Sequence, residues 1–363
     1  MERAWESQGA GRAVYWIWGL FLLGLLGFAG GLLASPPRAW KIYLVNLLFW
    51  SGLSAAGPVL SAVFTLTNAQ WAEPRIRPVA ESLSGFFPVA FPLYLIFFLT
   101  GSEWLYPWIE HPPPARAVWF SFPIFVLRGA AGLLLLNVLG WKFLRVSIGN
   151  RRKEGPASSE GTLAVFLILL YAVVFSLLAV DLIMALDPYW ISTLFPAYFF
   201  MGNLYAGIAA TAICAFLSGG FGEKVPMDSA FRDLGKILLG FCLLWTYLMW
   251  SQFLIIWYGN LPEELGFLMD RTTGSWSGLA WMVLFLCFIL PFVALLTRAM
   301  KGAYPLFGIS TAVLAGMLLE RFLLVVPSEG PGLSVSWMDP LITAGFLGLF
   351  ALSRTYLSQR PGG

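Results

Sequence analysis

Long apolar runs recur along the whole chain, each close to the ~20 residues that cross a bilayer as a helix, and short polar or Pro/Gly-rich stretches separate them. This pattern predicts ten helices, at 14 to 33, 42 to 66, 86 to 105, 116 to 140, 162 to 187, 192 to 218, 230 to 258, 274 to 298, 304 to 326 and 338 to 357. The fold expected is an all-α integral membrane protein forming a single polytopic domain over 1 to 363. Three polar segments flank or interrupt it: an N-terminal stretch at 1 to 13, a loop at 141 to 161 and a tail at 358 to 363. The turns fall at Ser35-Pro36-Pro37, His111-Pro112-Pro113-Pro114, Asp187-Pro188 and 327 to 332, all sequences that interrupt helices. Prolines also fall inside the runs, at Pro58, Pro88, Pro92, Pro123 and Pro291. Each removes a backbone donor, and the freed carbonyl needs a protein neighbour in lipid.

Composition agrees with this reading: 59% of residues are hydrophobic and 11% charged, against about 25% charged in soluble domains. Alternate loops face the same compartment, so the basic residues can be sorted by side. Sixteen of the 22 fall on the side of both termini, two lie within helices (Arg128 and Arg321), and only Arg38, Lys41, Arg116 and Arg271 fall opposite. Positive charge marks the cytoplasmic side, which places both termini there. Trp40, Trp104, Tyr106, Trp108, Tyr189, Trp190, Trp257 and Tyr258 near the span ends suit interfacial belts. The net charge of +3 is scattered, without a basic stripe to engage nucleic acid.

The chemistry available is narrow. Cys214, Cys242 and Cys287 sit in apolar runs without metal-binding spacing, and the single histidine, His111, lies in a loop. A transmembrane bis-histidine haem and a cysteine-held iron–sulfur cluster are excluded, so the chain alone binds no metal or haem. Four polar groups stand out at membrane depth, where an ionisable side chain marks function or pairing. Arg128 is 12 residues into its predicted helix, about 18 Å deep. Asp181, Gln252 and Glu320 each lie six residues from the outer end of a helix, about 9 Å below that same surface. One reading is a proton relay through Asp181 and Glu320 bridged by Gln252. The other is neutral glue, with Arg128 paired to Asp181 and Arg321 to another acid, since Glu320 and Arg321 project about 100° apart around the helix.

The stretch YLMWSQFLIIWYGNLPEE at 247 to 264 carries Ser251, Gln252, Trp257, Tyr258, Asn260, Pro262, Glu263 and Glu264. It resembles the ActF-type membrane subunit of alternative complex III, the second quinone-binding subunit of a quinol:cytochrome c oxidoreductase, in the NrfD-like family of polysulfide reductase membrane subunits. The stretch DLIMALDPYWISTLFPAYFFMG at 181 to 202 is similar to the same family. The resemblance implies two four-helix bundles, helices 2 to 5 and 6 to 9, with helices 1 and 10 peripheral, in a bacterial cytoplasmic membrane. It implies as partners a sister NrfD-like subunit, a pentahaem cytochrome c, an iron–sulfur subunit, a monohaem cytochrome c, small membrane subunits and a terminal oxidase. Quinone or lipid would be the only small molecules bound by this chain. Tyr189 stands where the family form has histidine, and no helical histidine is available to accept a quinol proton. The chain is therefore read as a scaffold and proton path rather than the quinol-oxidising subunit. A secondary transporter with proline-broken helices, or a purely structural anchor, are the alternatives.

Overall fold

The computed structural model describes residues 2 to 72, 75 to 113, 116 to 151, 159 to 187, 190 to 218, 228 to 260, 262 to 329 and 335 to 358. Within these the chain is helical without strands. The helices are α1 (Glu2–Ala34), α2 (Pro36–Leu66), α3 (Ile76–Ser82), α4 (Phe87–Ile96), α5 (Phe122–Arg151), α6 (Glu160–Leu182), α7 (Phe195–Ser218), α8 (Asp228–Gly259), α9 (Pro262–Thr272), α10 (Ser277–Leu284), α11 (Leu290–Leu296), α12 (Ala303–Val325) and α13 (Met338–Ser358). The third span joins α3 and α4 through a 3-10 turn at Leu83–Phe86, and the eighth joins α10 and α11 through a π-turn at Phe285–Ile289. Among the described residues nine segments are long and apolar enough to cross a membrane, and α13 is the tenth expected helix. The protein is a multi-pass all-α membrane protein.

Two four-helix groups form as expected. The first holds α2, α3–α4, α5 and α6; the second holds α7, α8, α10–α11 and α12. They meet along α2 and α7, and α2 is buried over nearly its whole length. Helices α1 and α13 pair with each other at the edge, against α2. Gly24 and Gly345 oppose backbone to backbone there, where a Cβ on either would collide with the other helix. In lipid, such close approach supplies the packing that the hydrophobic effect does not.

Helix boundaries shift where proline starts a helix rather than ending one. Pro36 and Pro37 occupy the first turn of α2 and Pro123 the first turn of α5, where the missing N–H is unpaired anyway. The loop expected at 141 to 161 is mostly helix, since α5 runs to Arg151 and α6 starts at Glu160; the N-terminal stretch is also helical from Glu2. Half of the expected aromatic belt is buried instead: Trp40, Tyr106, Trp108 and Trp190 are core, whereas Trp104, Trp257 and Tyr258 are exposed. Tyr189 lies outside the described residues. Two of the buried members bond carbonyls at the end of α6, with Tyr106 Oη donating to Leu182 O (2.9 Å) and Trp108 Nε1 to Ala185 O (3.1 Å).

Pro291 follows the π-turn and has no N–H for the carbonyl four residues earlier, which belongs to Cys287. That oxygen accepts instead from Tyr205 Oη at 2.9 Å and from Cys242 Sγ at 3.4 Å, across the second bundle. All three cysteines are buried. Tyr205→Phe leaves that oxygen with only the weak Cys242 thiol donor and should therefore destabilise the fold by about 1 kcal/mol. A lowered thermal midpoint in detergent would register it; an unchanged midpoint would mean that water replaces the hydroxyl.

Candidate functional site

Residues 181 to 202 and 247 to 264 meet at one end of the bundle, here termed the distal end. The Ser192 hydroxyl accepts from the N–H groups of Leu194 and Phe195 at the head of α7 and donates to Gln252 Oε1 on α8. This bond joins the 181–202 and 247–264 stretches. Ser251 beside it is half-buried. Asn260 ends α8 in the left-handed region (φ 45°), and its N–H reaches Ile256 O at 3.0 Å; asparagine tolerates this conformation better than most residues. The expected turn is short: Pro262 starts α9, a helix of its own. The Glu263 and Glu264 side chains lie outside the described residues.

Helix α9 folds back over the bundle. Phe267 stacks on Trp190 with ring centroids 3.5 Å apart, and Arg271 lies 3.4 Å from the Phe267 ring. Arg271, expected in a solvated loop, is buried and donates to Phe267 O (2.8 Å) and to Leu324 O (2.9 Å) at the end of α12. Burial pushes its guanidinium down to about 9, against the opposing charges of Asp270 and Asp187. Arg38 is likewise buried, donating to both oxygens of Asp339 at 3.2 and 2.6 Å and so pinning the head of α13 to the head of α2.

Arg128 is shallower than expected. Because α5 starts at Phe122, it lies about 9 Å into its helix, level with Asp181. The two form a bidentate pair, Nε to Oδ2 at 2.7 Å and Nη2 to Oδ1 at 2.6 Å, with the guanidinium 3.8 Å from the Trp119 ring. Planar two-bond pairing of this kind is the strong form of the ion pair, and it links α5 to α6.

Glu320 and Arg321 are both fully buried on α12 and pair with each other. The expectation that neighbours 100° apart could not pair is overturned. Both side chains are long and fully buried, and each bends around the helix to its nearest countercharge. Arg321 also donates to Asn203 Oδ1 (2.9 Å) and lies over the Phe199 ring, both on α7. Asn203 fits against Gly52 of α2, where a Cβ would overlap its amide. Around this pair, among the described residues, Glu320 Oε1, Arg321 Nε, Asn203 Nδ2 and Trp245 Nε1 are buried polar atoms without a hydrogen-bond partner, and Tyr198 lies beside Glu320. Donors and an acceptor left open together mark a place for bound water, which typically makes about three such bonds.

The single relay expected through Asp181, Gln252 and Glu320 does not form, because each has a different partner: Arg128, Ser192 and Arg321. Among the described residues the distal end instead holds one buried ion pair in each bundle, Arg128–Asp181 and Arg321–Glu320, besides the Arg38–Asp339 pair at the edge. A further network was missed at the opposite, basic end. Arg77 donates to Ser61 (2.9 Å), Thr65 (2.8 Å) and Ser147 (2.9 Å) and pairs with Glu160. Glu81 accepts from Ser61 and Ser147, both at 2.6 Å, and pairs with Arg151. Four spans are tied by two cations and two anions. The signal was present in Arg77 and Glu81, one helical turn apart, and in the hydroxyls at Ser61, Thr65 and Ser147.

The fold and its polar sites define a polytopic helical membrane protein with paired charges in each of two bundles. Compared with known proteins, the chain matches no family model and no curated sequence.

Proposed function

We propose that this chain is a non-haem membrane subunit of a respiratory or photosynthetic quinol:electron-acceptor oxidoreductase of the alternative complex III kind, acting as scaffold and proton path. The observation that carries the reading is the Ser192–Gln252 bond, which brings the two family-like stretches into one distal structure. The proton role draws on Glu320, a buried carboxylate with one oxygen open beside the unpartnered donors of Arg321, Asn203 and Trp245. Ionisable groups held at depth in this way suit proton transfer. Haem and iron–sulfur chemistry would belong to partner subunits, and the termini would face the cytoplasm of a bacterial inner membrane.

Affinity purification in gentle detergent from the native cell should bring down haem-bearing c-type cytochromes and an iron–sulfur protein. The chain should show no Soret band once these are stripped. A chain that elutes without haem proteins would instead favour a transporter, and a Soret band that stays with it would overturn the non-haem assignment. Reporter fusions at residue 363 and within 108 to 113 should label opposite sides of the membrane.

A further inference from the structure

A groove of about 490 Å³ opens on the outside of the first bundle, between α2, the break joining α3 to α4, and α5. Its floor is apolar, with Pro58, Phe87 and Leu144 buried at the back and Pro88 exposed at the side. The groove exists because the prolines and the 3-10 turn interrupt close helix packing.

Two cations, Lys142 and Arg145, stand at the lip. They are three residues apart on α5 and so share a helix face. Among the described residues neither makes an ion pair with an acid, unlike Arg77 and Arg151 nearby. Arg145 lies 5.1 Å from the ring of Trp141. Lys142 is 20 residues beyond Phe122, about 30 Å along the helix, which is the thickness of the hydrocarbon layer. The lip is thus at headgroup level, with Leu144 beside it and Val138 about one turn nearer the bilayer centre on α5. Inside the groove, Ser84 is bonded to Glu81 O (2.6 Å) and Asn137 gives one amide N–H to Leu133 O (2.9 Å), so the lip cations are the charged groups facing it.

We propose that this groove is a binding site for one anionic phospholipid, with its phosphate on Lys142 and Arg145 and an acyl chain against Phe87, Pro88 and Leu144. The inference rests on the membrane fold alone and stands whether or not the chain belongs to an oxidoreductase. Charge complementarity selects the headgroup, since each basic side chain at a membrane surface favours anionic lipid.

Native mass spectrometry of the full-length protein in mild detergent, given phosphatidylglycerol or phosphatidylcholine in turn, should show one retained phosphatidylglycerol and weaker phosphatidylcholine. Lys142→Gln with Arg145→Gln should cut phosphatidylglycerol affinity roughly 30-fold. Val138→Trp, at an exposed position lining the groove, narrows it and keeps both charges, and should lower retention of the lipid without changing the thermal midpoint; this variant decides the matter if the double variant folds poorly. Equal retention of both lipids, unchanged retention in both variants, displacement by millimolar inorganic phosphate, or stronger retention of a neutral isoprenoid quinone would each overturn the proposal.

Discussion

Glu81→Ala is expected to lower the stability of the folded bundle by about 3–5 kcal/mol, the range for removing one member of a buried ion pair. Glu81 and Arg77 side chains are each about 5% exposed, and with Glu81 gone two arginines share the single carboxylate of Glu160. The hydroxyls of Ser61 and Ser147 lose their acceptor in the same change. Glu160→Gln should cost less, because Glu160 is 13% exposed and water screens what remains. Glu81→Leu combined with Arg151→Leu restores neutrality, so the pair should be less destabilised than the sum of its single variants. Thermal midpoints in detergent for these variants give the comparison. Equal, small shifts for Glu81→Ala and Glu160→Gln would show that water reaches this end of the bundle.

The number and order of spans were legible because length and apolarity alone decide whether a segment crosses a membrane. What was not legible follows from how charge was read. Arg38, Arg77, Arg151 and Arg271 were assigned to loops because they flank apolar runs, yet each is drawn into the protein by an acid or a carbonyl that lies far away in sequence, such as Asp339 for Arg38 and Leu324 O for Arg271. Those partners depend on helix order in space, which a hydropathy pattern does not contain. Pairing of Arg128 with Asp181 was one of two open readings because both were visible at depth. The adjacent pair on α12 was discounted from ideal helix geometry, which ignores how far long, fully buried side chains bend toward a countercharge. Helix α9 was missed because its apolar positions are few, and only Trp190 and Arg271 reveal what it packs against.

The pairing of Glu320 with Arg321 changes how a proton role must be tested. Glu320→Gln keeps size and hydrogen bonding, but it leaves the Arg321 cation with only Asn203 and the Phe199 carbonyl for company. That variant is expected to lose about 3–5 kcal/mol of stability, so a fall in proton transfer measured on it alone would be ambiguous. Glu320→Gln with Arg321→Gln removes both charges together and should recover most of that loss while deleting the titratable proton. In the assembled complex, reconstituted into vesicles, the double variant is expected to keep electron transfer and to move fewer protons per electron. Arg128→Gln with Asp181→Asn supplies the matching change in the first bundle, where the pair already satisfies both carboxylate oxygens and no effect on proton yield is expected. The contrast turns on the open oxygen of Glu320 and the unpartnered donors around it, which bound water could connect. Unchanged proton yield in both double variants would reduce the two pairs to structural ties between helices.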